Sequence, residues 1–383
     1  MPRTSANNFD VIVVGVGAMG SAAAWQLAAR GARVLGLEQF DVPNARGSSH
    51  GYSRAIRLAY HEHPDYVPLL RRAYALWQEL EQATQQSLLT ITGGLYMGPG
   101  GSEQIQRTIE SADRHQVPYE RLDRQALAER FPQFHLPDDF AAVLESQAGF
   151  LLPEACVAAQ VVAALRHGGR VQAHEAVRGW RETPEHVEVS TDRGVYRADQ
   201  LIFCGGAWTA PLLSGLQIPL RVSRQPLVWF WPRQPDLFAL GRLPIWAIAH
   251  ADGSSHYGFP MLSDNPGFKI ARHWPGPTAE PDALQRTPLP EDEADCRAAV
   301  EQFIPAAAGP LLAVRVCMYT NSPDGHFIID RLPGHLRVTL AAGFSGHGFK
   351  FAPVIGQLLA DLALDGLTEL PAEFLKLARL ARQ

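Results

Sequence analysis

Residues 9–20, FDVIVVGVGAMG, constrain the fold of this chain most: an apolar strand runs straight into glycines at 15, 17 and 20, and a helix-forming stretch follows. Gly15 permits the tight turn, Gly17 lets the backbone approach a pyrophosphate, and Gly20 lets the helix pack closely on the strand, so the helix N-terminus faces an anion. An amphipathic run over 21–30 ends at Gly31, and 33–38 reads as a second strand ending in Glu38. An acid placed about 20 residues beyond such glycines can accept hydrogen bonds from a ribose. Strand, glycine turn, helix, strand and acid together predict a dinucleotide site.

Composition sets the outer limits. At 383 residues and 46% hydrophobic content, the chain can form two packed domains. A net charge of −5 with no basic block argues against a nucleic-acid partner. Residues 11–25 have the apolar core and small residues of an export leader, yet their glycines stand at cofactor spacing and lead into a strand. The expectation is no cleavage, no export and a cytoplasmic protein. No other apolar run approaches the roughly 18 to 20 residues of a membrane span, so no membrane partner is expected. Cys156, Cys204, Cys296 and Cys317 show no CxxC or metal spacing, which supports neither a disulfide frame nor a metal site.

The organisation reads as interleaved. After the first βαβ unit, 65–84 has helical periodicity, and 88–97 reads as one extended stretch. A helix over 153–166 precedes strands at 171–177, 187–191 and 200–204, the last returning to the first sheet. Residues from about 216 to 307 are rich in aromatics and prolines, with strands at 227–231 and 256–259. A further strand at 337–343 leads through FSGHGFK to an apolar helix ending near 364. The expected cofactor domain is therefore discontinuous, from 1–84, 150–215 and 320–383. The substrate domain takes 85–149 and 216–319.

The C-terminal strand, glycine turn and helix favour a flavin over a nicotinamide. A reduced flavin carries negative charge near N1 and O2, which a helix N-terminus or a lysine stabilises, and residues 343–350 offer both. Lysine usage points the same way. Of 34 basic side chains only Lys269, Lys350 and Lys376 are lysine, so a retained lysine marks a place needing a compact ammonium. Lys376 stands near the C-terminus beside arginines and reads as a solvated charge. Strand alternation puts Lys269, Ala271 and His273 on one face, a polar wall of an active site.

Five segments carry a resemblance to a known family. These are GFSGHGFKF at 343–351, CMY at 317–319, HFIID at 326–330, YGFP at 257–260 and GSSHGYSRAIR at 47–57. In that content and order the chain resembles monomeric sarcosine oxidase and N-methyltryptophan oxidase, from about residue 8 to 367. The resemblance implies an α/β (α+β) fold, with a Rossmann-like FAD-binding domain interleaved with a substrate domain built on a large mixed β-sheet. It implies oxidation of secondary amino acids by O2 to an imine, giving formaldehyde, the demethylated amino acid and hydrogen peroxide, by a monomer.

Carried over position by position, the resemblance makes Cys317 the point of covalent FAD attachment. Arg57 and Lys350 become the pair that holds the substrate carboxylate, and Lys269 the cation that activates oxygen. It places His273 near the substrate amine, with Tyr257 and Tyr319 lining the pocket. Gly15, Gly17, Gly20, Glu38, Ser48, His50, Arg54, Cys317, Gly343, Gly346, Gly348 and Lys350 form the cofactor-binding set, and Glu62 is an acid able to pair with Arg57.

Two segments depart from the family. The arginine-bearing loop, usually HGDTR, here reads His50-Gly51-Tyr52-Ser53-Arg54, with Ser49 in place of a second histidine. The stretch 244–250, PIWAIAH, also differs and leaves pocket size open. Sarcosine, other N-methyl amino acids and cyclic imino acids such as proline or pipecolate all remain eligible. So do a dehydrogenase with another electron acceptor and a flavin protein without catalysis.

Overall fold

The computed structural model describes residues 7–213, 218–263, 267–274 and 276–382. Two large sheets dominate these residues. In the first, Asn8–Val14 pairs in parallel with Val34–Leu37 on one side and with Gly194–Phe203 on the other. Val11 to Val14 are all buried, as expected for a parallel strand covered on both faces. Arg170–Gln172 extends one edge. The long strand Gly194–Phe203 serves two further neighbours, Val187–Thr191 along its first half and Val338–Ala342 along its last three residues. The strand expected at 200–204 does return to the first sheet, as the end of this longer element.

Helix Ala18–Ala29 is not the amphipathic element read from sequence. Ten of its twelve residues are buried, because Pro153–Arg166 and Ala352–Leu364 both pack against it. The contact with the second of these helices is close enough that a Cβ on Gly356 would lie 2.5 Å from the Ala22 backbone. Helix Tyr66–Thr84 matches its predicted span and buries Leu69, Leu70, Ala73, Leu76, Trp77 and Leu80, one stripe at helical spacing.

Two extended stretches are broken where sequence reading made them continuous. Residues 88–97 divide into Leu89–Ile91 and Gly94–Pro99, in different sheets, at Gly93 with φ +77°. Residues 171–177 divide into Arg170–Gln172 and Val177–Glu182 around His174, at φ +55°. A left-handed residue turns the chain out of the strand direction, and a pattern of apolar residues carries no mark of it.

The second sheet has eight strands. Its order is Leu311–Asn321, Arg221–Phe230, Phe268–His273, Ser255–Phe259, Ile245–Ala249, Gly94–Pro99, Phe140–Glu145 and Tyr119–Leu122. The sheet is mixed, since Ile245–Ala249 and Gly94–Pro99 run parallel and the other pairs antiparallel. One face packs Val228, Phe230, Phe268 and Ile270 against helix Pro290–Phe303. On the opposite face Leu227, Ala271 and Cys317 pack together with Trp229, over whose ring Lys269 lies. Arg54–Ile56, Gly149–Leu151 and Leu89–Ile91 form a third, small sheet. The observed class is the expected α/β one with large mixed sheets. Among the described residues no helix is long and apolar enough to cross a membrane.

Candidate active site

A cavity of about 540 Å³ runs between the two sheets. At one end Gly15, Gly17 and Glu38 line it. Gly15 has φ +88°, and a Cβ on Gly20 would sit 1.7 Å from the Gly15 carbonyl, so turn and helix can meet only as glycine against glycine. The Glu38 carboxylate accepts the Val16 amide at 2.9 Å and the Phe40 amide at 3.0 Å. Burial raises its pKa, and these amides pull it back. The acid is thus held rigidly beside the glycine turn. Ser49, at the position where a histidine was expected, uses its hydroxyl to accept the Ala18 amide at the start of the helix (3.2 Å).

Ser48, Arg54 and Cys317 meet where the arginine loop touches the second sheet. The Arg54 guanidinium donates to the Ser53 carbonyl (2.9 Å) and the Ser48 carbonyl (3.0 Å), and lies 3.6 Å from Cys317 Sγ. Cys317 is buried, has no disulfide partner and contributes to the cavity wall. Tyr52, the residue that replaces an acid, has φ +67°, packs edge-on against Trp229, and its hydroxyl accepts a hydrogen bond from Arg315.

Lys269 lies behind the cavity wall. Its Nζ donates to the Gly51 carbonyl (2.7 Å), the Ser53 carbonyl (2.8 Å) and the Ser53 hydroxyl (3.1 Å). Burial, then Arg54, push its pKa well below the ordinary lysine value, while Glu154 acts in the opposite sense. Three oxygens match the three N–H bonds of an ammonium, so this geometry favours the charged form against burial. On the same strand His273 faces the cavity, with Nδ1 3.2 Å from the Tyr319 hydroxyl. Burial lowers its pKa to about 4, so it is neutral near pH 7. Tyr257 completes this wall.

At the far end Arg57 and Lys350 share the cavity wall with His61 and Glu62. Arg57 Nη2 reaches both Glu62 oxygens at 2.7 Å, and Nη1 donates to the Ala59 carbonyl at 2.7 Å. Burial raises the Glu62 pKa, but Arg57, together with His61, His347 and Lys350, outweighs it and holds the carboxyl well below its ordinary value. Gly343, Gly346 and Gly348 form the turn that delivers Lys350, and a Cβ on Gly346 would strike the Tyr319 ring at 2.4 Å.

Sequence reading missed the residues that hold these groups in place. Glu154 accepts the Gly51 and Tyr52 amides, the former at 2.7 Å, and so fixes the loop under Lys269. Glu145, fully buried, accepts the Leu58 amide (2.7 Å), the Ala59 amide (3.2 Å) and the Tyr96 hydroxyl (3.0 Å), clamping the chain that carries Arg57. Nothing in their local sequence separates these acids from surface ones.

The sequence profile described as FAD dependent oxidoreductase matches residues 10–362. The chain is 42% identical over 377 residues to a monomeric sarcosine oxidase of Streptomyces avermitilis, covering 97% of this chain and 98% of that one. The chain belongs to the sarcosine oxidase family of FAD-dependent oxidoreductases. Among these oxidoreductases, an N-methyl-L-tryptophan oxidase of Salmonella newport is 33% identical, covering 93% of this chain and 95% of its own. The open form of NikD, described as an unusual amino acid oxidase, superposes with a TM-score of 0.85 at 26% identity and 97% coverage of both chains. The L-proline dehydrogenase of P. horikoshii shares the fold, with a TM-score of 0.86 at 24% identity and 98% coverage of both.

The cavity's own chemistry fits FAD. The hydroxyl of buried Thr320, in the cavity wall, has no hydrogen-bond partner among the described residues; His50, buried next to Ser49 in the chain but not part of that wall, also leaves both ring nitrogens unpartnered. Buried polar atoms are rarely left so, and a polar ligand bound in the cavity would satisfy the Thr320 hydroxyl. A Cβ on Gly17 would meet only Ser49 Oγ at 3.7 Å, which leaves the turn open to a pyrophosphate.

Proposed function

We propose that this FAD-dependent amine oxidase acts on secondary amino acids, sarcosine and other N-methyl amino acids, and passes the electrons to O2. The observation that carries the reading is the pairing of Arg57 and Lys350 in one wall of the cavity, with neutral His273 and Tyr319 in the same cavity. A guanidinium and an ammonium grip a carboxylate, while a neutral imidazole leaves the amine lone pair free to react. Bound FAD supplies the two-electron chemistry, taking a hydride equivalent from the N-alkyl carbon. Arg57 and Lys350 position the substrate and His273 and Tyr319 flank its nitrogen. For sarcosine, O2 and water, the products are glycine, formaldehyde and hydrogen peroxide.

The finer assignments belong to the same proposal. Covalent attachment of FAD through Cys317 is supported by a free thiol in the cavity wall. Lys269 serves as the oxygen-activating cation, and the remaining expected site residues keep the roles given above. The division into a cofactor domain at 1–84, 150–215 and 320–383 and a substrate domain at 85–149 and 216–319 draws support from the two sheets, whose strands fall almost wholly within those segments. The boundary near 215 lies outside the described residues. A monomer is supported by the relatives' printed name, and a cytoplasmic setting by four unpaired thiols.

The test is to add sarcosine to purified protein in air and measure peroxide and formaldehyde, then precipitate the protein with acid. Equimolar peroxide and formaldehyde, with a yellow pellet that turns colourless in Cys317→Ala, is the expected result. Sarcosine oxidation without peroxide would overturn the oxidase reading. Yellow supernatant over a white pellet would overturn the covalent link alone.

A further inference from the structure

Lys350 is held by a chain of groups whose hydrogen-bond directions can be worked out one after another. His347 Nε2 lies 2.9 Å from the Gly325 carbonyl, which can only accept, so Nε2 carries the proton and Nδ1 is an acceptor. The Tyr60 hydroxyl is 2.6 Å from Nδ1 and therefore donates to it, in preference to the His347 carbonyl at 3.4 Å. With its hydrogen committed, the Tyr60 oxygen is left as an acceptor. Lys350 Nζ donates to that oxygen at 3.5 Å and to the His347 carbonyl at 2.7 Å.

Two of the three N–H directions of the ammonium are thereby fixed on buried oxygens. The third is the only one whose occupant changes with protonation, a hydrogen when charged and a lone pair when neutral. Lys350 lines the cavity, whereas Tyr60 lies behind it with no exposed surface. Packing makes the arrangement stiff, because the Tyr60 ring is wedged among Tyr66 (5.2 Å), Phe351 (5.4 Å) and His347 (5.8 Å).

We propose that Tyr60 and His347 are positioning residues that aim the third N–H of Lys350 at the carboxylate of the substrate. The proposal rests on the reading of Arg57 and Lys350 as the carboxylate pair. It adds two residues that act through Lys350: Tyr60 behind the cavity, and His347 in its wall, whose two ring nitrogens are committed to Gly325 and Tyr60. The neutral, single-tautomer state of His347 is essential to it, since a protonated ring could not accept from Tyr60 and would release the tyrosine hydrogen towards Lys350. Burial lowers the His347 pKa to about 3, which keeps that tautomer in place across neutral pH.

Charge on Lys350 is finely balanced. Burial and then Arg57 lower its pKa to about 7, and Glu62 acts against them. Lys350 in turn lowers the pKa of His61 beside Arg57, of His273 and of His347, and these rings, neutral near pH 7, set no charge against it. The ammonium is present below that value and lost above it, so carboxylate affinity falls as pH rises through neutrality. An acceptor at Tyr60 favours the ammonium, and its removal moves that fall to lower pH.

The experiment titrates acetate, a carboxylate with no oxidisable amine, into the flavin-loaded enzyme and follows the flavin absorbance on both sides of neutral pH. Tyr60→Phe keeps the packing ring and removes only the hydroxyl. Its acetate Kd at neutral pH is expected to rise by up to about tenfold, the worth of one charged hydrogen bond from a misaimed Lys350 to the carboxylate, with the affinity drop displaced to lower pH. His347→Gln is expected to change Kd in the same sense while retaining a donor for Gly325. Lys350→Met should weaken acetate binding and leave it insensitive to pH across neutrality. Weakening in Lys350→Met with wild-type Kd and pH curve in both Tyr60→Phe and His347→Gln would overturn this inference alone. Unchanged acetate binding in Lys350→Met would instead overturn the carboxylate reading on which it rests.

Discussion

Lys269 and Ser53 are joined by two hydrogen bonds, from one ammonium to the serine carbonyl at 2.8 Å and to its hydroxyl at 3.1 Å. With a third bond to the Gly51 carbonyl, the lysine's donors are all spent on the loop that carries Arg54. The side chain therefore works through its fixed charge, having no N–H left to offer a small molecule.

Lys269→Met removes that charge from the cofactor side of the sheet. Oxidation of reduced enzyme by O2 is expected to slow by roughly 10²-fold or more, the size of effect seen when one preorganised electrostatic group is lost. Anaerobic reduction by substrate should change far less. Stopped-flow measurement of the two half-reactions separates them, and an unchanged oxygen rate would rule out the assigned role.

Gly17 and Gly20 predict opposite failures. Gly17→Ala meets only Ser49 Oγ at 3.7 Å, so the protein should fold with near wild-type thermal stability yet lose FAD affinity. Gly20→Ala drives a methyl group into the Gly15 carbonyl at 1.7 Å and should lower stability as well as flavin content. Thermal melts of the apoproteins, together with flavin-to-protein ratios after purification, check both. Equal stability losses in the two variants would contradict the cavity assignment of Gly17.

Glu145 offers three acceptor contacts to buried donors, two of them backbone amides next to Arg57. Glu145→Gln turns one acceptor into a donor facing a donor. A stability loss of about 1–3 kcal/mol is expected from the unsatisfied group. Substrate KM should also rise more than kcat falls, because the arginine loop loses its clamp. Urea unfolding and steady-state kinetics supply the two readouts, and a variant with wild-type KM would confine Glu145 to a purely structural role.

Four histidines, His50 and His347 buried and His61 and His273 half-buried, set an acid limit on stability. Burial lowers His50, His61 and His347 to about 3 and His273 to about 4 from an ordinary 6.5. Below that ordinary value the unfolded chain takes up protons that the folded one refuses. Their contribution is complete above about pH 6.5 and declines as pH falls towards the folded values, by up to about 1.4 kcal/mol per pH unit for each. Melting temperature should start to drop as pH passes below 6.5, before carboxylates titrate, and His347→Gln should make the drop shallower. A melting temperature that stays level down to pH 5 would falsify this account.

What the sequence made legible was whatever repeats a local pattern. The glycine turn, the helices over 65–84 and 153–166, and the alternation of Lys269 with His273 each depend on neighbours within a few residues. Breaks at Gly93 and His174 escaped, because a single left-handed residue leaves no trace in an apolar period. The burial of helix Ala18–Ala29 escaped for another reason, since its two covering helices come from distant parts of the chain. Among site residues, Arg57 and Lys350 were visible through motifs, whereas Glu145, Glu154 and Tyr60 became meaningful only once folding placed them against those motifs. A buried acid or tyrosine reads in sequence like an exposed one.

The central strand Asn8–Val14 precedes its neighbours by a long stretch of chain: Asn8 finds its partner at Arg197, and the strand beyond that one is held by Val338 to Leu340. Pairings so distant in sequence are slow to form, because the intervening loop must close before any contact rewards it. A ribosome must therefore pass residue 340 before the sheet beneath the nucleotide cleft is complete. During that interval the apolar strand stands without its neighbours, the state in which a nascent chain is most exposed to aggregation.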